Sequence, residues 1–168
     1  MPGQREWGAS SVMICLDASA GPILVAGGGR VGIRKIRTLL EAGMAVDLVS
    51  PEALPELRSL ASEGRIAWMQ RPVERADFEC HSFAILALPA KETEEAVLLA
   101  RGTACSMDCC AAPGLGTWSL AAQFRTGGYL VGTATGGKSP AAAARLRDRI
   151  REFLEGEHLS PLQKENTE

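Results

Sequence analysis

The sequence has little charge of one sign, few histidines and no long apolar run, and each shortage removes a class of function. Eighteen basic residues stand against 20 acidic ones, leaving a formal net charge of −2 over 168 residues. That balance lacks the bulk positive field of a nucleic-acid binder. No nucleic-acid fold motif accompanies the arginines of the C-terminal half, so no nucleic-acid partner is expected. No apolar run approaches the roughly 20 residues that span a bilayer, and no membrane partner is expected either. Residues 1–12 carry Gln4, Arg5 and Glu6 with no apolar segment behind a basic start, so a secretory leader is not expected and a cytoplasmic protein is. The five cysteines include no C-x-x-C pair, and His81 and His158 lie far from Cys105, Cys109 and Cys110. An odd number of thiols suits a reducing compartment better than a disulfide framework, and the cluster of Cys105, Cys109 and Cys110, with no histidine near it, reads as buried structural cysteines rather than metal ligands.

What is present is the composition of an ordinary globular chain, 46% hydrophobic and 23% charged. Its length suffices to bury a core without disulfide or metal staples. There is no internal repeat. Apolar runs alternate with segments of helical period. Pro22–Ala26 reads as a buried strand that stops at Gly27-Gly28-Gly29. From Arg30 the apolar positions Val31, Ile33, Ile36, Leu39 and Leu40 recur at helical spacing until Gly43. Ala45–Val49 reads as a second strand broken by Pro51, followed by a helix over Pro55–Ala61 and a short strand over Ile66–Met69. Arg71–Ser82 reads as a loop or short crossover. Phe83–Leu88 is a fourth strand, Lys91–Arg101 a helix and Ala104–Met107 a fifth strand ending at Asp108. The alternation predicts an α/β fold: a Rossmann-like parallel sheet with helices on both faces.

Beyond Ala111–Gly116 the rhythm changes. Ser119–Gln123 and Tyr129–Thr135 flank Gly127-Gly128 as a β-hairpin. An Ala- and Arg-rich helix then runs from Pro140 to about Leu154, with Ser139 as its N-cap. The expected organisation is a dinucleotide-binding domain over residues 1–112, a small α+β unit over 113–156 and a polar tail over 157–168.

Two motifs and one acid carry chemistry. Gly27-x-Gly29-x-x-Gly32 follows a strand and opens a helix, the context in which glycines permit a tight turn and let backbone N–H groups approach a pyrophosphate. The helix beginning near Val31 would add its partial positive charge. Ser50 stands at the end of the second strand, where an acid often takes a ribose hydroxyl, and a serine can hydrogen-bond there instead. Thr135-Gly136-Gly137-Lys138-Ser139-Pro140 forms a second glycine turn at a helix start, either an anion pocket with charge from Lys138 or simply a capped, solvated helix. Asp108 sits at the carboxyl end of the fifth strand, the edge where open α/β sheets bind ligands. It could move a proton there or close a turn on its own backbone. Short-chain dehydrogenase chemistry is disfavoured, since Tyr129 is followed four residues on by Thr133 rather than lysine.

Taken together, Leu24–Val31 with Arg34-Lys35, Leu39-Leu40-x-Ala42-Gly43, Val49-Ser50-Pro51, Gly64-x-Ile66, Asp108 and Thr135–Pro140 make the chain resemble a known family. It is the precorrin-2 dehydrogenase / sirohydrochlorin ferrochelatase family, of the siroheme-synthase N-terminal type. The resemblance implies NAD-dependent oxidation of precorrin-2 to sirohydrochlorin, with Fe2+ or Co2+ as a possible chelation substrate, and a homodimer assembled through the second unit. It places Asp108 as the catalytic base and cofactor contacts on Gly27, Gly29, Arg30, Val31, Gly32, Ser50, Pro51 and Leu88. It places the tetrapyrrole on Gly136, Gly137, Lys138 and Ser139. The stretch Ala87–Lys91 with Glu94, and Cys109–Pro113 with Trp118, depart from the family's usual residues. A degenerate member that binds tetrapyrrole or metal without oxidising it, and a nucleotide-sensing Rossmann module, are the alternatives.

Overall fold

The structure is a computed structural model and describes residues 11–156. Met13–Ser119 is one compact unit, and the chain from Leu120 belongs to a second. In the first, β1 (Ile23–Gly28), α1 (Arg30–Glu41), β2 (Val46–Ala53), α2 (Pro55–Ser62) and β3 (Ala67–Met69) are followed by α3 (Arg75–Glu79), β4 (Phe83–Leu86), α4 (Ala90–Leu99) and β5 (Ser106–Cys109). All strands are parallel in the order β3-β2-β1-β4-β5. The chain leaves β1 toward β2 and β3, then returns to β4 and β5 on the other side. The order therefore reverses between β1 and β4, the switch point at which such sheets open a crevice.

Alternation along the strands explains both covered faces. Leu24 and Ala26, Val49, Ala84 and Leu86, and Cys109 share one face, closed by Phe78 of α3 and by Ala96 and Ala100 at α4. Val25, Leu48, Ile85 and Asp108 are paired across the strands and point the other way. There Lys35 of α1 meets Asp108. Within the helices, Ile36 and Leu39 of α1 and Leu57 and Leu60 of α2 are buried. β1 is buried along its whole length, as a central strand covered on both faces should be.

In the first unit three differences from the expectation stand out, and beyond it the first hairpin strand occupies Ala122–Thr126 rather than Ser119–Gln123. Pro51 does not end β2, which continues to Ala53; the ladder to β1 skips from Ala26↔Val49 to Gly28↔Ala53, and pairing with β3 has already stopped at Val49. Proline's missing N–H therefore leaves no ladder bond broken. The stretch 71–82 contains the short helix α3, held by a reciprocal cap in which Glu74 and Asp77 each bond the other's backbone N–H. The fifth strand begins two residues later than expected, so Asp108 lies inside it. Beyond β5, the Thr117 N–H donates to the Met107 carbonyl at 2.8 Å and its hydroxyl accepts the Met107 N–H at 3.1 Å. Trp118 meets Phe83 edge-on at 5.7 Å.

In the second unit, β6 (Ala122–Thr126) and β7 (Tyr129–Thr133) form an antiparallel hairpin. Gly127 and Gly128 both take positive φ, as a two-residue turn matching the strand twist requires. The helix α5 (Pro140–Gly156) packs on it: the Thr133 hydroxyl donates to the Ala143 carbonyl at 2.8 Å, and Arg151 lies 4.9 Å over the Phe124 ring. Among the described residues, no helix is long and apolar enough to cross a membrane.

Candidate functional site

The turn between β1 and α1 is built so that only glycine fits at most of its positions. Gly27 has φ of 108°, and a Cβ there would run into the Ala87 carbonyl and come within 3.3 Å of Leu88 Cδ2. A Cβ on Gly28 would strike the Glu52 carbonyl, and one on Gly32 the Gly27 carbonyl. These three glycines serve close packing of the turn against β2, β4 and its own helix. Gly29 is different. Its φ is −89°, it is the N-cap of α1, and an added Cβ would meet no protein atom within 4 Å. Nothing in the protein requires a glycine there. The open space lies at a helix N-terminus, whose first N–H groups lack intrahelical partners and favour an anion. The arrangement fits the pyrophosphate of a dinucleotide, the group for which such a turn leaves backbone room.

Around this cradle the other expected contacts take distinct places. Arg30 and Val31, in the first turn of α1, are exposed, as is Pro51. Leu88 is half-buried against Gly27, and its carbonyl accepts the Thr93 hydroxyl at 3.2 Å. Ser50 is buried, and its hydroxyl is engaged within the protein: it accepts the Gly28 N–H and donates to the Glu52 carbonyl. It braces the turn.

Asp108 is 5% exposed and its Oδ2 accepts from Lys35 Nζ at 2.7 Å. Lys35 is the residue to which sequence reasoning gave no role. A signal for it was present: Lys35 falls three residues after buried Gly32 and four before buried Leu39, on the inward face of α1. A lysine at such a position calls for a partner. Burial raises the neighbouring Cys110 thiol, and Asp108 raises it further, while Lys35 and Arg34 oppose this. Cys109 is pushed up to about 12 by burial first, then by Asp108 and Cys110. These thiols stay protonated at neutral pH and are poor nucleophiles or metal ligands. Among the described residues, no three His, Cys, Asp or Glu side chains are grouped to hold a metal ion.

In the second unit, the Thr135 hydroxyl accepts the Ser139 N–H at 2.9 Å, and the Ser139 hydroxyl accepts the Ala142 N–H at 3.2 Å. Gly136 and Gly137 take positive φ, and Lys138 is exposed beside them. Ser139 thus caps α5, as its position predicts.

Residues 14–117 match the family described as "Putative NAD(P)-binding". Over 138 residues the chain is 25% identical to the precorrin-2 dehydrogenase of Bacillus subtilis (strain 168), spanning 82% of this chain and 85% of that protein. It is 33% identical over 134 residues to the siroheme synthase of Methylobacillus flagellatus, spanning 79% of this chain but 29% of the synthase. Among solved structures, "SirC, precorrin-2 dehydrogenase" superposes with a TM-score of 0.69 at 24% identity, over 88% of this chain and 71% of that one. That likeness is one of fold.

Proposed function

Because the chain belongs to the NAD(P)-binding family of precorrin-2 dehydrogenases and siroheme-synthase N-terminal units, we propose that it oxidises precorrin-2 to sirohydrochlorin with NAD+. One observation carries this reading. The open cradle at Gly29 and the carboxylate of Asp108 belong to one sheet and are joined through one helix, α1.

In this reading, the N–H groups at the start of α1, with Gly27, Gly29 and Gly32, hold the pyrophosphate. When bound, NAD+ supplies the acceptor for a hydride, so each turnover yields NADH and one proton. Precorrin-2 loses a C–H bond with its electron pair, and a second hydrogen leaves as the proton while a new ring double bond forms. Asp108 accepts that proton through its carboxylate, a contribution of about 10²–10⁴ in rate for a placed base. The substrate's many carboxylates suit Lys138, the backbone N–H groups of Gly136 and Gly137, and the Ser139 hydroxyl, which accepts from Ala142 and can still donate its own hydrogen. The second unit would also form a homodimer. Exposed Tyr129 and Leu130 of the hairpin, and Leu146 and Phe153 of α5, supply the apolar surface for it.

The test is anaerobic turnover of precorrin-2 with NAD+, with sirohydrochlorin and NADH followed together. Wild type should form them one for one. Asp108→Asn should lose about 10²–10⁴ in kcat with NAD+ affinity retained by calorimetry. Full activity in that variant removes Asp108 as the base. A wild type that binds sirohydrochlorin but neither binds NAD+ nor turns over would make the protein a degenerate binder instead.

A further inference from the structure

Of the described lysines, Lys91 and Lys138 are exposed, while the Lys35 side chain is only 15% exposed. Its ammonium meets a carboxylate that is itself 7% exposed on the side chain, at 2.7 Å and 73 residues away in sequence. Lys35 lies in the second turn of the helix whose first residue follows Gly29, and Ile36 and Leu39 of that helix are anchored in the core. The root of the lysine is therefore fixed with respect to the nucleotide cradle. Asp108, by contrast, reaches β1 within the sheet only through β4, by the pairs Asp108↔Ile85 and Ile85↔Val25. The ion pair makes a second, direct tie between the two halves of the site.

We propose that Lys35 is a positioning residue for the oxidation. Its ammonium holds Oδ2 of Asp108, sets the plane of the carboxylate relative to the cradle, and offsets the charge of an acid set within the sheet. The proposal rests on the reading of Asp108 as the proton acceptor. Without the ammonium Oδ2 loses the contact that ties it to α1, and misplacement by about 1 Å is enough to cost roughly 10²-fold in rate. Lys35 points to Asp108 rather than to the open space at Gly29, so NAD+ affinity should not depend on it.

The experiment compares Lys35→Met, Lys35→Arg and Lys35→Met/Asp108→Asn with wild type and Asp108→Asn. It measures NAD+ affinity by calorimetry, kcat and KM for precorrin-2, and thermal unfolding. Lys35→Met should lower kcat by about 10–100-fold, with NAD+ affinity and KM changed by less than about threefold. Lys35→Arg, which keeps the cation, should recover a large part of kcat. In the Asp108→Asn background, Lys35→Met should lower kcat no further, because one residue acts through the other. Unchanged kcat in folded Lys35→Met overturns the proposal, as does a loss borne by NAD+ affinity or a full further loss in the Asp108→Asn background. If Lys35→Met yields no folded protein, Lys35→Gln and Lys35→Arg decide between the same outcomes. A wild type that does not oxidise precorrin-2 overturns the functional reading itself. An active wild type with an indifferent Lys35 overturns this proposal alone.

Discussion

Ser50 and Gly28 are joined by a hydrogen bond from the glycine N–H to the serine hydroxyl, 3.0 Å long and buried. The same hydroxyl donates to the Glu52 carbonyl at 2.6 Å. The serine that sequence reasoning offered to a ribose therefore holds the end of β2 against the nucleotide turn. Ser50→Ala leaves a buried backbone donor without its partner, which should cost about 1–3 kcal/mol. Urea unfolding measures the loss, and calorimetry should show weaker NAD+ binding from the loosened turn. Unchanged stability would mean the bond is replaced by water.

Gly27 and Gly29 should separate folding from binding. Gly27→Ala forces a side chain onto φ of 108° and into the Ala87 carbonyl, so it should lower stability by at least about 1–3 kcal/mol. Gly29→Ala meets no protein atom and keeps an ordinary φ. It should unfold like wild type yet bind NAD+ at least about tenfold more weakly, because its methyl occupies the room left for the pyrophosphate. Wild-type affinity in Gly29→Ala would place the nucleotide elsewhere.

The acid limb of stability should carry the signature of Asp77. Burial alone would raise this carboxyl, but the two hydrogen bonds from Arg71 at 2.7 and 2.8 Å, and that from the Glu74 N–H at 2.8 Å, outweigh it and hold it below the usual range. A depressed folded value stabilises the protein above the unfolded carboxylate value, near 3.9. That stability is lost as pH falls through the lower folded value. Urea midpoints should therefore fall below about pH 4, and Asp77→Asn should flatten this part of the profile while lowering stability at pH 7.

Thiol reactivity should follow burial. Cys105 is pushed up to about 11 by burial and Cys109 to about 12, whereas Cys15 and Cys80 are exposed. At pH 8 a chromogenic disulfide reagent should titrate Cys15 and Cys80 quickly and the Cys105, Cys109 and Cys110 thiols slowly, with all five accessible after denaturation. Rapid loss of Cys109 would mean that β5 opens readily.

The strand and helix succession was legible because the first, second and fourth apolar runs stop at or beside a glycine or proline, and because the period of Ile36 and Leu39 is unmistakably helical. Pro51 misled because proline breaks a strand only where the ladder needs its N–H, and the ladder's skip is set by partners in β1 and β3. α3 escaped notice because Glu74 is an uncommon N-cap and the helix is only five residues long. The glycine turn and Asp108 were legible as site residues from their places at strand ends. Their relation was not. Lys35 and Asp108 lie 73 residues apart, and only the fold brings the side chain of one, on α1, to the other, on β5. Ser50 was legible as important but its backbone partners were not, since a hydroxyl reads the same in sequence whether it faces a ligand or the backbone.

Thr117 acts as a detent on β5. By bonding both polar groups of Met107, it holds the edge of a four-residue strand in the register that the ladder to β4 also specifies, and so helps fix which way each side chain is aimed. A slip of one residue would turn the Asp108 carboxylate into the apolar layer of Phe78 and Leu86 and offer the Cys109 thiol to Lys35 instead. A threonine outside the chemistry thereby helps keep an acid, rather than the adjacent thiol, presented to the site.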